Sequence, residues 1–324
     1  MNKTPLVSIC SLTYNHAPYI RQCLDGLLMQ QTNFPFEIII NDDCSTDGTT
    51  EIIRDYAERF PEIIKPIFHE ENQYQKGLRG FFQKFVFPKA QGKYIALCEG
   101  DDYWTDPLKL QKQVDFLESH LNYGMVYTDI NEYSQKTRKF LNKRHKIKSG
   151  ECFSDRINDN IDTSLLTLCF RRHIIEELPK VDTKKYFTGD IFLTLYITSK
   201  YKIYGFNEKM CTYRILEESA SHHINRDIFR DSKIAYQVSN TYLYFINHTS
   251  KQIENYDSIC FKHYSRVLRY HLIYNNLKEF QQIQRNISGL KLDNKQFLQK
   301  LIFIFLQNSL VFKIFRIIYI FCNK

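Results

Sequence analysis

Several things are scarce in this chain, and each scarcity excludes something. Eleven Gly and eight Pro among 324 residues leave no room for a long flexible linker or a collagen-like tract. The nine Cys are scattered without a C-x-x-C pair. That spacing argues against a zinc site. Cys10, Cys98 and Cys169 sit inside apolar runs and read as small core residues of a reducing compartment. No apolar run of signal-peptide length follows Met1, so no export is expected. No 18-residue stretch is free of polar groups, which makes a transmembrane helix a poor fit. No repeat at a solenoid period is present.

Acid is locally scarce too. The net charge is +8, and seven Lys or Arg lie between Gln135 and Lys148 without one acidic residue. The last 24 residues carry Lys313, Arg316 and Lys324, again without an acid. Such stretches attract anionic lipid, acidic glycans or nucleic acid. A solvated hairpin edge explains the first stretch equally well, and no nucleic-acid partner is expected. The tail from Phe297 to Cys322 is very apolar, interrupted by Gln307, Asn308, Lys313 and Arg316. It suits a basic amphipathic helix lying in a membrane interface. The alternative is a helix packed on the protein or in a homodimer.

The first half alternates two periodicities. Strand-like runs cover Leu6 to Leu12, Phe36 to Ile40, Pro66 to Phe68 and Tyr94 to Cys98. Helical stripes lie between and after them: Ile20, Leu24, Leu27 and Leu28; Ile52, Ile53, Tyr56, Ala57 and Phe60; Leu110, Val114, Leu117 and Leu121. Asp106-Pro107 reads as a cap followed by a first helical turn. Strand–helix alternation predicts βαβ units, an α/β fold and a largely parallel sheet. Later strand-like pieces cover Met125 to Tyr127, Leu165 to Phe170 and Ile203 to Phe206, with a helix over Asp190 to Lys200. From Arg226 to Leu290 the pattern is helical. The expected division is residues 1–220 as an α/β domain and 221–324 as a helical extension.

In parallel sheets ligands bind beyond the carboxyl ends of the strands. Two acidic clusters fall there: Asp42-Asp43 after one strand and Asp101-Asp102 after another. Adjacent carboxylates repel each other, and burying them is costly. A divalent cation removes that problem, and hard oxygen ligands suit Mg²⁺ or Mn²⁺ shared with substrate phosphates. A carboxylate at Asp42 or Asp43 suits a nucleobase or ribose, and Tyr14 offers a stacking face. The plainer readings are a solvated acidic loop, Asp47 as a helix cap and His16 as a loop residue.

Three segments carry a resemblance: Val7-Ser8-Ile9-Cys10-Ser11-Leu12-Thr13-Tyr14-Asn15, Asn41-Asp42-Asp43-Cys44-Ser45-Thr46-Asp47-Gly48-Thr49 and Glu99-Gly100-Asp101-Asp102-Tyr103-Trp104. Their order and spacing resemble the successive signatures of family 2 glycosyltransferases, over roughly Pro5 to Arg214. The resemblance implies the GT-A fold, a nucleotide-sugar donor and inversion at the anomeric carbon. It implies a nucleotide pocket at Thr13, Tyr14 and Asn15, and a base contact at Asp43 or Asp42. Asp101 and Asp102 match the D-x-D element, with Asp102 holding the metal and Asp101 the donor's ribose or sugar. Thr188-Gly189-Asp190-Ile191-Phe192-Leu193 occupies the place of the catalytic base, Asp190, for which a helix cap is the alternative. Met210-Cys211-Thr212-Tyr213-Arg214 matches the closing strand. The Gln-x-x-Arg-Trp element of processive relatives is missing, which favours single-sugar transfer. The donor is then a UDP-sugar or another nucleoside-diphosphate sugar. The acceptor is a glycan or lipid-linked hydroxyl in surface-polysaccharide synthesis, at the inner face of the plasma membrane. Two competing readings are a sugar nucleotidyltransferase, which lacks its Gly-rich phosphate loop here, and an inactive nucleotide-sugar-binding scaffold.

Overall fold

The computed structural model describes residues 4–187, 189–219, 222–223, 227–293, 296, 299–300, 303, 306 and 309–322. They form two compact units. The first contains residues 1–152, 161–179 and 200–222; the second contains 153–160, 180–199 and 223–324. The second unit therefore takes up two segments that precede residue 220, and the second of these contains Asp190.

Unit 1 is built on one mixed sheet. Its strands are β1 (Val7–Thr13), β2 (Phe36–Asp42), β3 (Ile64–Phe68), β4 (Tyr94–Leu97), β5 (Tyr103–Trp104), β6 (Tyr123–Ser134), β7 (Lys139–Leu141), β8 (Cys169–Arg171) and β9 (Lys202–Ile215). The spatial order is β3-β2-β1-β4-β8-β6-β9-β5, with β7 beside β6. The first four are parallel; β8 runs antiparallel to both β4 and β6. β1, β2 and β4 are buried almost continuously rather than in alternation. That is the pattern of strands covered on both faces. Cys10, Cys98 and Cys169 are buried and free, as read from the sequence.

Helices α1 (Ile20–Leu28), α2 (Thr49–Arg59) and α3 (Lys109–Ser119) cover this sheet. α1 buries Ile20, Cys23, Leu24 and Leu27, one stripe at helical period. Leu110, Val114 and Leu117 do the same for α3, but Leu121 does not join them. The helix ends at Ser119, and Leu121 lies 78% exposed before β6 begins. The Asp106-Pro107 expectation also shifts: α3 begins at Lys109, and Asp106 Oδ1 accepts the Leu108 amide at 2.8 Å one turn earlier. β9 is far longer than the two pieces visible in the sequence, because pairing along β6 bridges the polar residues between them. The basic stretch 135–148 holds β7 at an exposed hairpin edge, where Lys136 pairs with Glu217 and Lys143 with Glu132.

Unit 2 is helical: α4 (Phe153–Ile157), α6 (Asp190–Lys200), α7 (Ile228–Asn247), α8 (Tyr256–Ile273), α9 (Leu277–Ser288) and a last helix, Ser309–Cys322; α5 (Ile174–Glu177) belongs to unit 1. Asp227 caps α7 by accepting the Phe229 amide. Phe261, Leu268 and Leu272 of α8 pack with Phe280, Ile287 and Phe312. The last helix leaves Ile314, Ile317 and Ile318 exposed. Among the described residues no helix is long and apolar enough to cross a membrane. Much of the apolar tail between Phe297 and Asn308 lies outside the described residues.

Candidate active site

The carboxyl end of β1 is the centre of the site in unit 1. Asp43 N donates to Thr13 O at 3.1 Å on one side, and Gly100 N donates to Leu12 O at 2.9 Å on the other. Thus both acidic segments are tied to the same strand end, as the parallel topology requires.

Glu99, Asp101 and Asp102 each bring a carboxylate oxygen within 4.8 Å of the others. Asp102 is 3% exposed, and its Oδ1 accepts the Arg214 amide at 2.7 Å. Burial, then the Asp101 charge, push its carboxyl well above the ordinary carboxylate range. Three crowded oxygen donors with one acid forced upward form a set that suits a hard divalent cation. The loop reaches this position because residue 100 is Gly. A Cβ there would lie 2.7 Å from Thr13 Oγ1 and 3.0 Å from His16 Nδ1. Both of those atoms are buried without a hydrogen-bond partner among the described residues. This pair of open polar atoms lies beside the carboxylate cluster. Burial lowers the His16 pKa, against the pull of Asp101, Asp47 and Asp42.

The loops after β1 and β2 are stitched together. Asn15 N donates to Ser45 Oγ at 2.8 Å, and Thr46 N donates to Asn15 Oδ1 at 2.9 Å. Asp47 joins them: Oδ2 accepts Ala17 N at 2.9 Å and Oδ1 accepts Thr49 N at 3.0 Å. These bonds hold Tyr14 outward, 37% exposed, with its ring open to a stacking partner. Asp42 and Asp43 are both buried and engaged. Asp42 accepts from Ser45 and Thr50, while Asp43 accepts the Gln73 amide at 2.8 Å and the Tyr74 amide at 3.0 Å. They order the rim loops directly, a role the sequence reading did not assign.

Behind the loop, Trp104 is locked. Its Nε1 donates to Leu166 O at 3.0 Å, and the buried Lys109 Nζ lies 4.0 Å from the ring centroid. Arg214 was overlooked in the sequence beyond its place in the closing strand. Its Nε donates to Asp101 O at 2.8 Å, and its guanidinium lies 4.8 Å from the Tyr19 ring and 5.1 Å from the Tyr103 ring. Glu99, quoted only as part of a signature, proves to be a third member of the cluster.

Asp190 lies in unit 2, as the first residue of α6; Thr188 lies outside the described residues. Its Oδ1 accepts the Ile191 amide at 2.8 Å. Burial raises its carboxyl pKa, and the Arg156 charge opposes that rise. Arg156 is held by Thr194 Oγ1 at 3.0 Å and Tyr242 OH at 2.9 Å, and the Thr194 hydroxyl also bonds Asp190 O. Arg156 too escaped the sequence reading.

The sheet is mixed rather than largely parallel as expected, because β5, β7 and β8 join it antiparallel; its parallel βαβ part, with a carboxylate cluster at the carboxyl rim, gives an α/β fold of the GT-A kind. The chain belongs to glycosyl transferase family 2, whose model it matches over residues 8–177. It is 53% identical over 114 residues to an uncharacterized Mycobacterium tuberculosis protein, Rv1520, covering 35% of this chain and 32% of that protein, so the match spans about a third of that relative. It is 29% identical over 228 residues to the putative teichuronic acid biosynthesis glycosyltransferase TuaG of Bacillus subtilis, covering 68% and 83% of the two chains. Among solved structures, S. aureus TarS 1-349 in complex with UDP-GlcNAc superposes with a TM-score of 0.60 at 18% identity, over 87% of this chain and 79% of that one. The mannosyltransferase PcManGT from Pyrobaculum calidifontis, in complex with GDP-Man and Mn²⁺, gives 0.57 at 15% identity, over 97% and 88%. At these identities the two structures establish the fold.

Proposed function

We propose that the chain is an inverting, metal-dependent glycosyltransferase that moves one sugar from a nucleoside-diphosphate sugar to a hydroxyl of a glycan or lipid-linked acceptor. The carboxylate cluster Glu99–Asp101–Asp102 at the sheet's carboxyl rim carries this reading. Residues 1–220 supply the donor site, and 221–324 form the extension. TarS with UDP-GlcNAc and PcManGT with GDP-Man and Mn²⁺ support a nucleotide-sugar donor and a cation of the Mn²⁺ or Mg²⁺ type. TuaG supports a place in surface-polysaccharide synthesis.

Asp102 and Asp101 hold the cation, and Asp101 also faces the donor's ribose or sugar. When bound, the cation stabilises charge on the departing diphosphate. Tyr14 stacks on the base, and Thr13 and Asn15 line the pocket. Asp43 keeps lone pairs beyond its two amide bonds and contacts the base through one of them; Asp42 shapes the loop beside it. Asp190 takes the acceptor proton while that oxygen attacks the anomeric carbon and the diphosphate leaves from the opposite face. A carboxyl raised by burial is better matched to that task than an ordinary aspartate.

The last helix, with Ile314, Ile317, Ile318 and Lys313 exposed, lies in the interface of an anionic membrane at its inner face; a second copy of the chain is the competing occupant.

The central test measures metal-dependent hydrolysis of a panel of UDP- and GDP-sugars. Asp190→Asn is expected to bind donor as wild type yet turn over about 10²–10⁴-fold more slowly. Wild-type turnover by that variant would remove Asp190 as base.

A further inference from the structure

The proposed donor chemistry leaves one face of α8 unexplained. Lys262, Ser265, Arg266 and Arg269 recur every three or four residues, so they share a side of that helix. With Phe261, Gln296 and Gln299 they line a groove of about 290 Å³. Among the described residues no carboxylate lines it. Lys262 Nζ is 2.8 Å from Asp159 Oδ2, whereas Arg266 and Arg269 form no ion pair among the described residues. The floor holds the decisive atom. Ser265 is 4% exposed, and its Oγ has no hydrogen-bond partner among the described residues. A mid-helix serine commonly closes its hydroxyl on the carbonyl four residues back, and leaving it open while buried is costly.

The groove is rich in donors: two guanidiniums and an ammonium, beside a hydroxyl and the Gln299 amide, which can also accept. An anion with several oxygens suits that cationic set, and paired guanidiniums match phosphate oxygens. The volume sits near the lower bound of roughly 300 Å³ for small-molecule clefts, enough for a phosphate or diphosphate group and small for a nucleotide sugar. We propose that the groove lined by Lys262, Ser265, Arg266 and Arg269 binds a phosphate or diphosphate group. It belongs to unit 2, shares no residue with the carboxylate cluster, and stands whether or not the donor reading does.

The experiment titrates the full chain with inorganic pyrophosphate by calorimetry in EDTA, so that no metal-dependent site contributes. In parallel, flotation is measured with vesicles of phosphatidylcholine, with and without phosphatidic acid. Wild type is expected to bind pyrophosphate, and the double variant Arg266→Gln/Arg269→Gln to bind at least ~10-fold more weakly. Ser265→Ala is expected to weaken binding while leaving the melting temperature unchanged or raised, because it removes an unsatisfied hydroxyl. Vesicle binding that needs phosphatidic acid and both arginines assigns the phosphate to a lipid headgroup. Pyrophosphate binding without vesicle binding assigns it to a soluble phosphate, and both outcomes keep the site. Equal pyrophosphate affinity in wild type and the double variant overturns the proposal, as does the absence of wild-type binding. A Ser265→Ala chain that melts lower overturns the role of the open hydroxyl.

Discussion

Replacing Asp102 by asparagine separates stability from metal binding. In the metal-free chain Asp102 is buried beside Asp101 and Glu99, with carboxylate oxygens within 4.8 Å of one another. At that distance and an effective dielectric of ~20, two like charges repel by about 3 kcal/mol, and solvent at the half-exposed partners reduces this further. The asparagine side chain would retain an oxygen for the Arg214 amide now bonded at 2.7 Å, while the repulsion disappears. Asp102→Asn should therefore melt at or above wild type in EDTA, by about 1 kcal/mol or ~2–4 °C. With Mn²⁺ added, the order should reverse. Wild type gains stability by mass action, and the variant gains little, because a strong anionic ligand is gone. Donor hydrolysis should fall at least ~10²-fold. Melting curves with and without Mn²⁺, plus a phosphate-release assay, measure all three. A variant that melts well below wild type in EDTA yet keeps its Mn²⁺ shift would show that Asp102 is a structural carboxylate, and the reasoning would fail.

Three other perturbations probe separate links. Gly100→Ala forces a methyl against Thr13 and His16 at the strand end, which should cost ~1–3 kcal/mol and depress donor hydrolysis in a chain that still folds, as read by circular dichroism and activity. Tyr14→Ala removes an exposed ring, so its stability should stay within ~0.5 kcal/mol of wild type, while donor affinity falls by the ~1–3 kcal/mol of a stacked base; unchanged affinity would retire the stacking role. His263 is buried against the Tyr242 ring with its pKa lowered to about 3. Between pH 6.5 and about 3 the unfolded chain binds the proton that the folded chain refuses, so stability falls on acidification through that window, by up to about 5 kcal/mol. His263→Phe should flatten that part of the acid-denaturation curve.

Most of the architecture around the carboxylate rim was legible in the sequence because its determinants are local. Short apolar runs and period-3.6 stripes name strands and helices without reference to distant residues, and βαβ alternation then sets β1, β2 and β4 parallel. Parallel strands share one carboxyl rim, so Asp42-Asp43 and Glu99 to Asp102 had to meet around the end of β1. Leu121 misled because periodicity does not announce where a helix stops.

What the sequence left open was decided by packing over long separations. Arg214 reaches Asp101 and Asp102 only because β5 pairs antiparallel with β9, a register set by strands more than a hundred residues apart. Asp42 and Asp43 read as candidate nucleotide contacts; folding also makes them acceptors for the rim loops, Asp42 from the Ser45 and Thr50 hydroxyls and Asp43 from the Gln73 and Tyr74 amides, since buried carboxylates must find donors. Arg156 beside Asp190, and the donor-lined face of α8, follow likewise from side chains brought together by folding. Local propensity fixes which elements form; desolvation fixes which of their polar groups are left to meet one another or a ligand.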